Sequence, residues 1–365
     1  MTTPESLTTE LSQRLARAID AAGGRIGFDE FMSLALYTPG LGYYANDLRK
    51  LGLMPGSGSD FVTAPEITPL FGRTLARQIA QALQQTQTAE LWEFGAGSGA
   101  LAAQLLGELG DQLRRYTIVD ISGALRARQQ TTLQAFGDRV RWVSELPAQM
   151  NGVVVGNEVL DAMPVKLLAR KNGVWHERCV SWDPGTQKFV WIDVATSLRP
   201  PVEVEGEHDY LCEIHPQAQA FVRTLADTLQ QGAVFLIDYG FPQAEYYHAQ
   251  RIAGTVMCHR AHQADADPLS DIGLKDITAH VDFTGIALAA QDAGFNVLGY
   301  CTQARFLMNC GLLPLLDQAS LPERVNAQKL IMEHEMGELF KVIALGKGEV
   351  WEPVGFAEGD RTHTL

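Results

Sequence analysis

The segment Leu91-Trp92-Glu93-Phe94-Gly95-Ala96-Gly97-Ser98-Gly99-Ala100 constrains this chain more than any other stretch. An apolar run that stops on a glycine-rich turn and opens directly into a helical pattern is the strand-turn-helix unit of nucleotide-binding α/β proteins. The glycines let a ligand approach the backbone, and the helix N-terminus follows at once. From residue 89 onward short apolar runs alternate with helical stretches. The runs are Glu90 to Phe94, Tyr116 to Ile121, Val140 to Val143, Gly152 to Val155 and Ala233 to Tyr239, with helices near 100–109, 123–136 and 217–231. That alternation predicts a parallel α/β sheet.

The rest of the chain has a different texture. Leu11, Leu15, Ala18, Ile19 and Ala22 recur at helical spacing until Gly23-Gly24, and Asp29 is expected to cap a short second helix ending before Pro39-Gly40. Residues 40–59 read as a long glycine-rich loop, of the kind that serves as a lid or connector. Thr68-Pro69 starts a helix running to about Gln85. Asn172-Gly173 joins the runs Lys166 to Lys171 and Val174 to Trp182, the signal for a type I′ hairpin, and with Phe189 to Val194 predicts an antiparallel meander inserted in the sheet topology. A helix near 283–293, an apolar run Phe295 to Tyr300, two or three helices over 303–338 and a last strand Lys341 to Leu345 complete the chain.

Glu93 separates two readings of the glycine turn. The glycines also satisfy the dinucleotide pattern through Ala100, but a carboxylate two residues before the first glycine would repel a pyrophosphate. It suits a ligand carrying positive charge, such as the ammonium and sulfonium of S-adenosylmethionine. The second strand ends in Ile118-Val119-Asp120, where an acid accepts ribose hydroxyls, and Ser122 caps the next helix. Asp120 lies 25 residues after Gly95, beyond the roughly 20 of the dinucleotide fingerprint.

The fourth strand ends in Gly156-Asn157-Glu158-Val159-Leu160-Asp161-Ala162-Met163-Pro164-Val165. Ligands of open α/β sheets sit beyond the carboxyl ends of the strands at the switch point, so Asn157 and Glu158 are expected beside the reacting group. If the acceptor is a guanidinium, carboxylates must orient it and favour loss of its proton, with Glu158 the first candidate and Asp161 the second. Asn157 and Asp161 also read as caps of the following turn, Asp161 equally so. Asp238-Tyr239-Gly240 closes the fifth strand toward the same crevice. His280 and Asp282 could form an acid/base pair, although Asp282 reads better as the cap of the next helix. Cys258-His259 with His262 lacks a fourth ligand, and His334-Glu335 has Glu338 where a metalloprotease helix needs histidine, so no metal is expected.

Charge and cysteine usage bound the partners. With 29 Lys+Arg against 43 Asp+Glu the net charge is −14, which disfavours nucleic acid and anionic membranes and permits a cationic partner. The cysteines, Cys179, Cys212, Cys258, Cys301 and Cys310, are odd in number and scattered, as in a reducing compartment. No apolar run approaches the roughly 18 residues of a membrane span, and Glu5 and Glu10 oppose a secretory signal. The expectation is a soluble cytoplasmic protein.

Several segments together resemble the MidA family of class I S-adenosylmethionine-dependent methyltransferases, whose mitochondrial members are arginine methyltransferases that assist respiratory complex I assembly. They are Ala35-Leu36-Tyr37-x-Pro39-x-x-Gly42-Tyr43-Tyr44, Asp60-Phe61-Val62-Thr63-x-Pro65-Glu66-Ile67, the glycine turn with Glu93, the Asn157 segment, Ile237-Asp238-Tyr239-Gly240, and Asp276-Ile277-Thr278-x-His280-Val281-Asp282-Phe283. The resemblance implies an α/β Rossmann-like sheet of seven mostly parallel strands, the last antiparallel, with an N-terminal helical cap. It implies S-adenosylmethionine held by Glu93, Gly95, Ala96, Gly97, Gly99, Asp120, Ile121 and Asn157, with the Thr63-x-Pro65-Glu66 turn folded over it. Asp120 departs from the glutamate expected in many relatives, and either acid can hold a ribose. Catalysis is assigned to Glu158, Asn157 and Asp161. Tyr43, Tyr44, Pro164, Asp238, Tyr239, His280 and Asp282 are expected to face the acceptor.

The expected organisation is a helical cap and glycine-rich lid over 1–65 and a methyltransferase domain over 66–350. Inserts are expected at about 165–205 and 303–338, and a tail over 351–365. The expected activity is methyl transfer to an arginine of a protein partner, without metal. A methyltransferase for a small molecule or RNA, a non-enzymatic assembly factor on the same scaffold, and a nicotinamide-dependent reductase are the alternatives.

Overall fold

The computed structural model describes residues 4–46, 62–120 and 122–365. Seven strands form the continuous path of the central sheet: β1 (Glu90–Phe94), β2 (Arg115–Val119), β3 (Val140–Val143), β4 (Met150–Asn157), β5 (Leu229–Phe241), β6 (Asn296–Thr302) and β7 (Phe340–Lys347); a two-residue strand, Val281–Asp282, pairs in parallel with the end of β5 off that path. Their order across the sheet is β6-β7-β5-β4-β1-β2-β3. Pairing is parallel from β3 through β5, while β7 runs antiparallel to both β5 and β6. This is the expected sheet. The chain leaves β1 toward β3 and returns on the other side as β4, so the switch point lies between β1 and β4.

The central strands lack alternation because helices cover both faces, and all of Gly152 to Asn157 is buried. On one face α3 (Leu70–Gln85) and α4 (Ala100–Leu109) set Leu75, Ile79, Leu101 and Leu105 against Val153, Val155 and Phe235. On the other, α6 (Pro216–Thr228) and α7 (Phe283–Asp292) set Val222, Leu225, Ile286 and Ala290 against Val154 and Leu236. Between them in the chain, α5 (Gly123–Thr132) follows β2; it stops short of the expected residue 136 because the chain passes into a 3₁₀ turn, Gln134–Arg139.

The inserted meander is a separate antiparallel sheet. Strand Val174–Asp183 pairs with Lys166–Lys171, Lys188–Ala195 and Ile26–Gly27, and Lys166–Lys171 pairs also with Tyr210–Ile214. Asn172 and Gly173 both take positive φ (49° and 76°), the requirement of a type I′ turn. The N-terminal helices α1 (Pro4–Ala21) and α2 (Phe28–Tyr37) lay Leu11, Leu15, Phe28 and Phe31 on this sheet against Leu167, Val180 and Phe189. Helices and meander therefore share one core, although about 130 residues separate α2 from Lys166. Asp29 does not cap α2. The helix starts from Gly27, which leaves the short strand Ile26–Gly27, and the Asp29 carboxylate is taken by Lys166 (3.1 Å), which also meets Glu177 (2.8 Å). Phe61 and most of the glycine-rich loop fall at 47–61, outside the described residues.

Candidate active site

A cavity of about 660 Å³ opens beyond the carboxyl ends of β1, β4 and β5. Its first wall is the glycine turn. Gly95 has φ +64°, and a Cβ there would stand 3.0 Å from Cγ2 of Val159, so the turn both requires the left-handed region and meets the β4 exit closely. Gly95, Ala96 and Gly97 line the cavity. Gly99 does not: it caps α4 in a left-handed conformation (φ +83°) and lies against Gln129, so it shapes the turn from behind.

Glu93, the next-to-last residue of β1, lines the cavity, is 2% exposed and accepts the Tyr116 hydroxyl at Oε2 (2.8 Å). Burial pushes its carboxyl up to about 8, partly offset by that hydrogen bond. Asp120 follows β2 and also lines the cavity. Its Oδ1 accepts the Ser122 N–H (2.8 Å) and its Oδ2 accepts Gln129 Nε2 (2.7 Å), bonds that fix the carboxylate while burial raises its pKa. Ser122 accepts the Leu125 N–H as the expected cap of α5. Ile121 lies outside the described residues.

Asn157 ends β4. Its Nδ2 donates to Glu158 Oε1 (2.9 Å), and its Oδ1 is buried with no partner among the described residues. A buried acceptor left open on a cavity wall is a place for a ligand N–H. Thr63 and Pro65 line the cavity, whereas Glu66 turns off it toward Arg128 (3.7 Å). Two acids, a glycine cradle and an open amide oxygen fit the cationic methionine end and the ribose of S-adenosylmethionine.

The second wall is an arm of the cavity that carries further acids. The Glu158 carboxylate accepts from Asn157 and from the Ala64 N–H, and burial, reinforced by Asp161 nearby, pushes it up to about 8. Asp161 Oδ2 accepts the Tyr239 hydroxyl (2.7 Å), Oδ1 is buried without a partner among the described residues, and burial raises its pKa to about 6. Asp276 Oδ2 accepts the Tyr44 hydroxyl (2.8 Å). His280 lines the same arm edge-on to Tyr239 (5.1 Å) and Phe241 (5.3 Å), and burial lowers its pKa to about 4, so its imidazole is neutral at neutral pH.

Not every residue expected at the acceptor reaches it. Tyr43 is 1% exposed in the core under the N-terminal helices, where it packs edge-on to Tyr44 (5.0 Å); only Tyr44 faces the cavity. Pro164 is buried behind the cavity-lining Met163. Asp282 is the cap of α7, accepting the Gly285 N–H (3.1 Å). Asp238 lies behind the wall and accepts main-chain N–H groups. Asp161 is not merely a turn cap, since its side chain faces the cavity.

Other residues line the cavity that were not among those expected there. Tyr37 stacks on Tyr44 (5.7 Å, 17° between planes) and donates to the Ala162 carbonyl (2.7 Å). Phe221 arrives from α6 and meets Phe94 edge-on (5.0 Å). Met257 and His259 come from Met257–Arg260, which pairs with Asp276–Thr278. The Tyr37 hydroxyl was the one legible hint, inside a quoted motif. Among the described residues, no cluster of His, Cys, Asp or Glu is built to hold a metal, and no helix is long and apolar enough to cross a membrane.

Known proteins are similar to this chain. A Burkholderia thailandensis protein solved with S-adenosyl-homocysteine bound is 47% identical, with a TM-score of 0.94 over 99% of this chain and 98% of that one. The mitochondrial protein arginine methyltransferase NDUFAF7 of Danio rerio is 28% identical over 93% of this chain and 87% of that protein. Its Homo sapiens counterpart is 27% identical over 93% and 84%. Over residues 74–301, more than half its length, the chain matches the family model for S-adenosyl-L-methionine-dependent methyltransferases, and it belongs to that family.

Proposed function

We propose that the protein methylates an arginine side chain of a protein partner. One observation carries the reading: Glu93, Asp120, Glu158, Asp161 and Asp276 all line the cavity, and among the described residues no lysine or arginine does. Carboxylates gathered around one cavity favour a cationic ligand. Glu93 and Asp120 suit the cofactor end, and the remaining three acids suit a guanidinium, whose planar N–H donors match carboxylate oxygens. The curated relatives carry the name protein arginine methyltransferase.

When bound, S-adenosylmethionine supplies a methyl group on a cationic sulfur. Asp161 and Asp276, held by Tyr239 and Tyr44, orient the guanidinium, and the stacked Tyr37 and Tyr44 rings flank it. Glu158 takes the proton that the substituted nitrogen releases, a task its raised pKa favours. No step asks His280 to carry charge. Five buried free cysteines suit a reducing compartment, and we place the reaction in the cytoplasm.

Methyl-labelled S-adenosylmethionine incubated with the protein and host extract, followed by mass spectrometry, tests the reading. Label on arginine of a protein supports it. Label confined to small molecules, nucleic acid or other side chains overturns the acceptor assignment.

A further inference from the structure

Glu158 holds φ +54°, a left-handed conformation that a residue with a long side chain adopts when its surroundings impose it. The imposing group stands on the neighbouring strand. The Glu158 N–H still donates to the Ile237 carbonyl (2.8 Å), extending the β4–β5 ladder by one rung. One residue further along β5, Asp238 Oδ2 accepts the N–H groups of Val159 (3.1 Å), Leu160 (2.8 Å) and Asp161 (3.2 Å), and Oδ1 accepts that of Tyr239 (2.9 Å). Four main-chain donors thus close on one carboxylate that is 1% exposed. Asp238 does not line the cavity.

We propose that Asp238 is a positioning residue for methyl transfer: by gathering the three N–H groups that follow Glu158, it locks the left-handed turn that aims the Glu158 carboxylate into the acceptor arm. The inference rests on the assignment of Glu158 to the acceptor. Asparagine at 238 would keep one oxygen for the turn but set its NH₂ against the Tyr239 N–H, donor facing donor. The turn then loosens while the glycine cradle on β1 stays in place, so aim is lost and cofactor binding is kept.

The test compares wild type, Asp238→Asn, Glu158→Gln and the double variant. It reads the initial rate of label transfer from S-adenosylmethionine into the protein fraction of host extract, and cofactor affinity by calorimetry. Asp238→Asn alone is expected to slow transfer about tenfold or more with affinity within about twofold of wild type, and to add less than about twofold to the loss in Glu158→Gln. Equal proportional losses in both backgrounds, or affinity falling in step with rate, overturn the positioning role. A wild-type rate in Glu158→Gln overturns the acceptor assignment and the positioning role with it; the two failures differ because only this one leaves the single Glu158 variant active. If Asp238→Asn does not fold, hydrogen exchange on the wild-type protein decides. The Val159, Leu160 and Asp161 amides are expected to exchange as slowly as those of β5, and exchange at the rate of exposed loops overturns the proposal.

Discussion

The Tyr239 hydroxyl donates to one oxygen of Asp161 at 2.7 Å, while the other oxygen of that carboxylate is buried with no partner among the described residues. One half of the acid is held by the protein and the other half is open for a donor from outside. Tyr239→Phe removes the holding half. With that stabilising bond lost, the Asp161 pKa moves further up, and the acid spends more of its time neutral near pH 7. Transfer to protein acceptors is expected to fall about tenfold while cofactor affinity stays unchanged. Rates and calorimetry on the same preparation check both halves.

Glu158 predicts a pH dependence. Its pKa of about 8 in the free protein means that it is largely protonated at neutral pH, and a guanidinium is attracted only to the ionised form. The kcat/KM for a protein acceptor should therefore rise with pH up to about 8 and then level, since that ratio reports free-enzyme groups. Glu158→Gln is expected to lose transfer about a hundredfold or more and to abolish this rise. A flat wild-type profile across that range would remove Glu158 from the acceptor's recognition.

Glu93 links cofactor binding to stability. Its folded-state pKa, about 8, lies above the unfolded value, so the folded protein binds the extra proton and stability falls as pH rises from about 4.5 through 8. Glu93→Gln removes this loss. The ligand-free variant is expected to melt a few degrees, roughly 2–4 °C, above wild type at pH 8. Its affinity for S-adenosylmethionine should drop about tenfold, because a cation loses its carboxylate. Thermal melts with and without cofactor at pH 5.5 and pH 8 measure both effects.

Gly95→Val tests the cradle. A β-branched residue is disfavoured at φ +64°, and its Cβ would meet Val159 at 3.0 Å on the β4 exit. Cofactor affinity should fall at least about tenfold and stability by about 1–3 kcal/mol. Calorimetry and urea titration are the measurements.

The local grammar of this chain was enough to place much of the cavity lining. Glu93, Gly95, Asp120, Asn157 and Glu158 each sit at the end of a strand or in its first turn, where short apolar runs, glycine and helix caps punctuate the sequence within a few residues. The parallel order of β1 through β5 follows from the same alternation. Side-chain direction behind those ends does not. Asp238 and Asp161 are both acids next to strand ends, yet one points back to collect N–H groups from the neighbouring strand and the other faces the cavity.

The second arm of the cavity was decided by distance in sequence. Tyr37 meets the Ala162 carbonyl across 125 residues, and Tyr44 meets Asp276 across 232. Met257 and His259 join the arm only because their strand pairs with Asp276–Thr278. Glycine turns, caps and apolar runs are encoded by neighbours and can be read from them. The choice of which buried acid meets a ligand, and which is spent holding a turn, belongs to packing between segments that only the folded chain brings together.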